Sequence, residues 1–180
     1  MGNKKHNKVA WRRDGVVALQ ANKKATILID ESMENELRKH TWSVDVRGYA
    51  MTWVVTDGKR RNVKMHRMVA ELSVFENMDC LDHANGDKLD NRASNIRPCT
   101  TSQNLANQKV RQTKLSKYKG VAGFTLWNNS KTKAYHYWTA KIAHGGKRLY
   151  LGSFKDEESA AAAYDEAAVR LFGEFARTNF

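Results

Sequence analysis

The sequence predicts an α+β protein in two parts, and three observations carry that reading. Short runs of alternating apolar residues surround one or two short helical stretches in the first hundred residues. A basic run without acid, "QKVRQTKLSKYK", interrupts the chain at residues 108–119. Beyond it, three strand-like runs are followed by one alanine-rich helical stretch, so a three-stranded antiparallel sheet should pack on one helix.

The elements follow in order. The first residues are polar and basic, and residues 1–15 are expected to form an arm able to lie along phosphates. "GVVALQ" and "ATILID" read as strands separated by "ANKK". Asp30 suits the N-cap of a short helix through "ESMENELRKH", with Met33 and Leu37 on one face. "YAMTWVV" places Tyr49, Met51, Trp53 and Val55 on one side of a strand. Asp57-Gly58 is a hairpin turn signal, and Val63 and Met65 resume the alternation before the helix "HRMVAELSV". Thr100 and Gln103 have capping-box spacing, which puts Asn104 in the first turn of a helix.

The basic run reads as a linker over 109–117, either a solvated tether or a segment that tracks a phosphate backbone. "GVAGFTLW", "HYWTAKIA" and "KRLYLGSF" are the three C-terminal strands, joined by "NNSKTK" and Gly145-Gly146. Asp156 caps the following helix, Glu157 and Glu158 suit its first turn, and Gly173 ends it. Ala160, Ala163, Tyr164, Ala167 and Leu171 line its inner face. Trp138 and Phe154 belong with Tyr164 in the core.

Composition bounds the partners. Of 180 residues, 31 are Lys or Arg and 19 Asp or Glu, a net charge of +12, so a polyanion is the expected ligand ahead of membrane or acidic protein. No apolar stretch reaches membrane-spanning length, the N-terminus lacks an apolar signal core, and a cytoplasmic protein is expected. Lys5 and His6 stand where a myristoylation signal needs Ser or Thr at position six. Cys80 and Cys99 lack zinc-knuckle spacing and read as reduced thiols, so no structural zinc is expected.

"LDHANGDKLDNRASNIRPCTTSQN", residues 81–104, gathers one histidine, one neighbouring carboxylate and many neutral amides. Cleaving a phosphodiester needs a base for water, a metal to neutralise developing charge, and a brace for both. Asp82 and His83 answer the first two demands. As neighbours on a strand they would face opposite ways unless the strand ends or bulges there. Taken singly, Asn85, Asp87, Asp90, Asn91 and Asn95 are turn residues, and His83 is as readily a core histidine as a base.

This stretch, preceded by "MHRMVAE", resembles the HNH endonucleases of bacteriophages, a ββα-metal nuclease family typified by intron-associated homing enzymes. The resemblance covers most of residues 16–108, including "ILIDESMENELRKHTW". It implies that His83 is the general base, that Asn95 is the central asparagine bracing the loop, and that Asn104 is the final motif position. Asp82 and Asn104 would then hold one divalent ion, Mg²⁺ or Mn²⁺, and one carboxylate with one amide oxygen does suit a hard cation that keeps its waters. The implied products carry a 5′-phosphate and a 3′-hydroxyl, and the implied setting is a phage-infected bacterial cell. His66 resembles the family's His-Arg pair with Arg67, although His66 reads first as structural. Arg67, Arg92 and Arg97 are phosphate or surface contacts.

"YKGVAGFTLW" and "YWTAKIAHGGKRLYLGSFKDEESAAAAYDEAAVRLFGEFARTNF" resemble the ethylene-response-factor (Apetala-type) DNA-binding domain, over about residues 116–180. In that family the sheet lies in the major groove, a geometry that a roughly 12 Å opening permits. Lys119 stands where the plant proteins place an arginine, Arg148 keeps an arginine, Tyr150 replaces a tryptophan and Lys141 replaces an acid. Ala122, Phe124 and Ala143 occupy positions commonly held by arginine, so the plant target does not transfer. The expected DNA contacts are Arg97, Lys109, Arg111, Lys119, Lys141, Arg148 and Tyr150, the last suited to a sugar or a thymine methyl. The whole reads as a monomeric, site-specific endonuclease that nicks double-stranded DNA. The competing reading is a DNA-binding regulator with an inert nuclease domain; an RNA-binding protein falls behind both.

Overall fold

A computed structural model describes residues 7–73, 80–110 and 116–180. They form two compact units, Met1–Cys99 and Thr100–Phe180. The chain is mixed α+β, with four α-helices and four small antiparallel sheets among the described residues. The division after Cys99 places the helix expected at Thr100 with the C-terminal sheet, whereas the sequence reading ends the first domain at 108.

In the first unit, β1 (Lys8–Arg13), β2 (Val16–Gln20) and β3 (Thr26–Asp30) make a meander. The expected arm is therefore corrected over Lys8–Arg13, whose backbone pairs with Val16–Gln20. Its side chains are mostly exposed, Trp11 among them, but Val9 packs on the core. Asn7 fastens the start of β1: its amide donates to the carbonyls of Gln20 and Trp42, both at 2.9 Å, and its Oδ1 accepts from the Trp42 N–H at 2.6 Å.

The helix expected after Asp30 is shorter than the pattern promised. Glu31–Met33 is a 3₁₀ turn and α1 spans only Glu34–Leu37. Asp30 makes no cap, because its carboxylate accepts instead from the Ala93 N–H at 2.7 Å. Next come β4 (Ser43–Val44), β5 (Ala50–Thr56) and β6 (Lys59–Lys64) in one sheet. Asp57 and Gly58 have φ of 52° and 71°, the doubly positive turn that a right-twisted hairpin requires.

On the side of Tyr49 and Met51, Trp53 and Val55 are exposed, while Ala50 and Thr52 on the other side are buried. One expectation about this hairpin changes. Met65 does not continue the strand; it opens α2 (Met65–Leu72) and is fully buried with Val69, one helical turn on. Val17, Leu19, Ile27, Ile29, Leu37, Trp42, Met65, Val69 and Ile96 form the core of this unit. β7 (Leu81–His83) and β8 (Ile96–Pro98) complete it as a two-stranded ladder.

The second unit begins with α3 (Thr101–Asn107), closed by the predicted capping box between Thr100 and Gln103. β9 (Val121–Trp127), β10 (Ala134–His144) and β11 (Lys147–Phe154) follow, with β10 central. α4 (Glu157–Phe172) covers one face, its N-cap Asp156 accepting from the Ser159 N–H at 2.7 Å. Ala160, Ala161, Ala167 and Ala168 are buried, so small side chains let helix and sheet approach closely. The linker reading over 109–117 is corrected at its end: Ser116 is buried, and its Oγ donates to Glu157 Oε1 at 2.6 Å.

Gly120 marks the tightest contact of this unit. Its φ is +75°, and a Cβ there would overlap the Tyr164 ring and lie 2.7 Å from the Lys141 carbonyl. Replacing Gly120 with Ala should therefore lower stability in urea unfolding by about 1–3 kcal/mol, the usual cost of overpacking a filled site. An unchanged midpoint would show that the ring yields freely.

Candidate functional site

The site is built on the β7–β8 hairpin. Leu81 pairs with Pro98, Asp82 with Arg97 and His83 with Ile96. β7 ends at His83, because the Gly86 N–H turns back to the His83 carbonyl at 2.8 Å and the Ala84 N–H reaches the Asn95 carbonyl at 2.9 Å. The strand thus stops at the Asp-His pair, one of the two arrangements under which neighbours can serve one site. Asp82 and His83 are only 6% and 5% exposed, which makes their partners decisive.

Asp82 accepts from Arg97, at 3.3 Å from Nε and 3.1 Å from Nη2. Arg97 was expected on DNA; in the structure it is the cross-strand counter-ion of Asp82. His83 sits edge-on to His66, ring centroids 5.0 Å apart, and both rings lie beside Tyr49. Burial holds the His83 ring below the usual histidine range, while the Asn91 side chain and the charges of Asp82, Asp87 and Asp90 oppose it. His66 is pushed down to about 3, first by burial and then by His83, Arg67 and Lys64. Arg67 is half-buried on α2. A neutral His83 can accept a proton from water; a protonated one cannot.

The loop between the strands is held by side-chain hydrogen bonds as well as by Leu89 and Ala93, which pack on the core. Asn95 Oδ1 accepts from the Asn85 N–H at 3.0 Å, and its Nδ2 donates to Asn85 Oδ1 at 3.1 Å and to the Asp90 carbonyl at 2.8 Å. Arg92 grips Asp90 through two bonds of 2.6 and 2.7 Å. Burial raises the Asp90 carboxyl, and Arg92 with Asn85 more than reverses this, leaving it below the usual range. The Asn91 N–H reaches the Leu28 carbonyl at 2.8 Å, and the Leu28 N–H reaches the Leu89 carbonyl at 2.9 Å, stitching the loop to β3. Asn85, Asp87, Asp90 and Asn91 were read as ordinary turn formers. The signal for their wider role was the density of amides and carboxylates around a single glycine.

Cys80 and Cys99 flank the hairpin with sulfurs 3.3 Å apart, and burial together with Cys80 pushes the Cys99 thiol up to about 12. Neither is in a disulfide. Among the described residues no group of three or more His, Cys, Asp or Glu side chains could enclose a metal. The Asp82 carboxylate is a donor type that a hard cation such as Mg²⁺ or Mn²⁺ accepts while keeping several waters.

The remaining predicted residues lie in the second unit. Asn104 stands in the first turn of α3. Lys119 is not turned outward: its ammonium donates to the carbonyls of Leu105, Ala106 and Gln108, capping the C-terminus of α3. Burial, then Arg177, push it down to about 8, against Asp165. Lys141, Arg148 and Tyr150 are exposed on the sheet, Lys141 opposite Tyr150 and Ala143 opposite Arg148. Lys119, Lys141 and Arg148 share a pocket of about 400 Å³ with Leu105 and Phe172. Lys109 is exposed, and Arg111 lies outside the described residues.

No protein-family model matches the chain. An uncharacterized HNH endonuclease of Acanthamoeba polyphaga mimivirus is 30% identical over 144 residues, covering 78% of this chain and 67% of the relative. The chain belongs to the HNH endonuclease family. An AP2/ERF and B3 domain-containing protein of Oryza sativa subsp. japonica is 54% identical over 43 residues, or 24% of this chain. The ethylene-responsive transcription factor WRI1 of Arabidopsis thaliana is 44% identical over 68 residues, or 37% of this chain. The chain spans only 12% and 14% of the lengths of these two plant proteins. No helix among the described residues is long and apolar enough to cross a membrane.

Two outcomes follow from this geometry. Asn95→Ala leaves the buried Asp90 carbonyl without this bond and removes a part-buried one from the Asn85 N–H, so unfolding free energy should fall by about 1–3 kcal/mol in denaturant titration, with Asn95→Asp recovering part of it. His66 binds its proton far more weakly folded than unfolded, so stability is intact above about pH 6.5 and drains away as pH falls toward 3. The slope from this one ring is about 1.4 kcal/mol per pH unit, and acid titration of His66→Phe should show it reduced by that amount.

Proposed function

We propose that the chain is a metal-dependent, site-specific DNA endonuclease of the homing type, acting as a monomer that nicks one strand per event. The observation that carries this reading is the buried Asp82-His83 pair at the end of β7, held by a loop whose brace is Asn95. Family membership sets the reaction class, and the conditions of the site suit it.

His83 takes the proton of the attacking water; its ring is held neutral by burial and aimed by the packed His66 and Tyr49 rings. Asp82 would hold one Mg²⁺ or Mn²⁺, which when bound would supply charge for the leaving 3′ oxygen, and Asn104 is the second ligand that the family resemblance implies. Arg97 fixes the orientation of Asp82 through two charge-assisted bonds to its Oδ2. Asn95 touches no substrate in this account; it keeps the loop from collapsing onto the pair. A 5′-phosphate and a 3′-hydroxyl are the products. The C-terminal sheet supplies DNA affinity, with Lys141, Arg148 and Tyr150 on its exposed face and Lys109 beside the phosphate backbone. Its plant relatives are named as transcription factors or as AP2/ERF proteins, which supports a DNA-binding role for this part.

Supercoiled DNA carrying the cognate site should be converted to nicked circles with Mg²⁺ or Mn²⁺ and not with EDTA. His83→Ala should lose at least a hundredfold in rate, a general base's share, while binding the same DNA. Binding without cleavage by the wild-type chain on that DNA would favour a regulator with an inert nuclease domain.

A further inference from the structure

The C-terminal unit separates its charges. Between Lys109 and Lys155 the sequence has no Asp or Glu, whereas Asp156, Glu157, Glu158, Asp165, Glu166 and Glu174 lie on or beside α4. The sheet is therefore the side that meets a polyanion, and α4 covers its other face through Val121, Ala140, Trp138 and Phe154.

The free face is not an arginine surface. Residues alternate along the strands, so the partners of the core row lie behind it and the outer row comprises Phe124 opposite Tyr137 and Leu126 opposite Tyr135. The Phe124 and Tyr137 rings are stacked, 5.8 Å between centroids. Leu126 is 52% exposed, Tyr135 41% and Tyr150 61%. Tyr150 continues the outer row on β11, where its hydroxyl meets Ser153 at 2.7 Å. The cations stand around this stripe: Lys133 over the Tyr135 ring, Lys141 beside Tyr150, and Arg148 near the end of the sheet.

Guanine is read in the major groove by bidentate cations reaching O6 and N7, while the apolar feature of the groove is the thymine C5-methyl. An aromatic stripe ringed by lysines lacks the first chemistry at its centre and offers the second. We infer that Phe124, Leu126, Tyr135 and Tyr137 form a specificity surface that selects thymine-containing duplex DNA by packing on its methyl groups. The inference rests on the DNA-binding reading above and adds the base chemistry to it. Flanking Lys133, Lys141 and Arg148 hold phosphates and set affinity and register.

The test uses the full chain in EDTA, so that no strand is cut, with a pool of randomised duplex DNA. The enriched duplex is then remade with deoxyuridine in place of thymidine, a change that deletes only the methyl. The expected result is thymine in the enriched core and a loss of about fourfold in affinity for each contacted methyl removed, the factor for one buried carbon. Phe124→Ala and Tyr137→Ala, whose side chains lie outside the core, should bind thymine and uracil duplexes alike while keeping the wild-type circular dichroism. Equal affinity of the wild-type chain for both duplexes, or an enriched core without thymine, overturns the inference and leaves DNA binding standing. A chain that enriches no duplex overturns both.

Discussion

The structure of the first unit depends on one constraint: a carboxylate and an imidazole are buried side by side where water cannot solvate them. Burying either alone would cost several kcal/mol. Arg97 offsets the charge of Asp82, and Asn91 with the surrounding carboxylates partly offsets the burial of His83. The Arg92–Asp90 pair and the Asn95 bonds then keep the connecting loop in place, and the Leu28 bonds tie that loop to a strand of the apolar core. The same contacts thus stabilise both the loop and the buried pair.

The second unit solves a different problem. A three-stranded sheet has two faces and one helix, so one face stays open. Alanines on α4 close the inner face tightly, and Gly120 lets Tyr164 pack against the backbone. The open face is left with aromatics amid lysines, a surface too apolar for idle solvent exposure. Lys119 links this sheet to α3 by capping its last carbonyls, so the helix that carries Asn104 is built into the same unit as the three-stranded sheet.

Much of this was legible in the chain. The Asp57-Gly58 hairpin, the Thr100 capping box, the Asp156 cap and the buried face of α4 all follow from local rules, and local rules govern them. What was not legible depends on contacts distant in sequence. Asp30 had the right type for a cap, but a loop 63 residues away claimed it. Lys8–Arg13 carries the composition of an arm and becomes a strand because Val16–Gln20 offers an edge. Arg97 and Lys119 each have an internal partner that no local rule announces, a cross-strand carboxylate for one and an orphan helix end for the other. For the Asp82-His83 pair, the family resemblance named the residues while the turn at Gly86 decided that the strand ends there.

The central claim is that the end of β7 is a metal-dependent cleaving centre, and Asp82 bears on it most directly. Nicking of cognate plasmid by Asp82→Asn should be measured across Mn²⁺ concentrations, with DNA binding and thermal unfolding followed in parallel. The account predicts retained DNA binding and fold, with nicking reduced at least a hundredfold and not restored by added metal. Nicking at the wild-type rate with the wild-type metal dependence would contradict it and place the cleaving centre elsewhere in the chain.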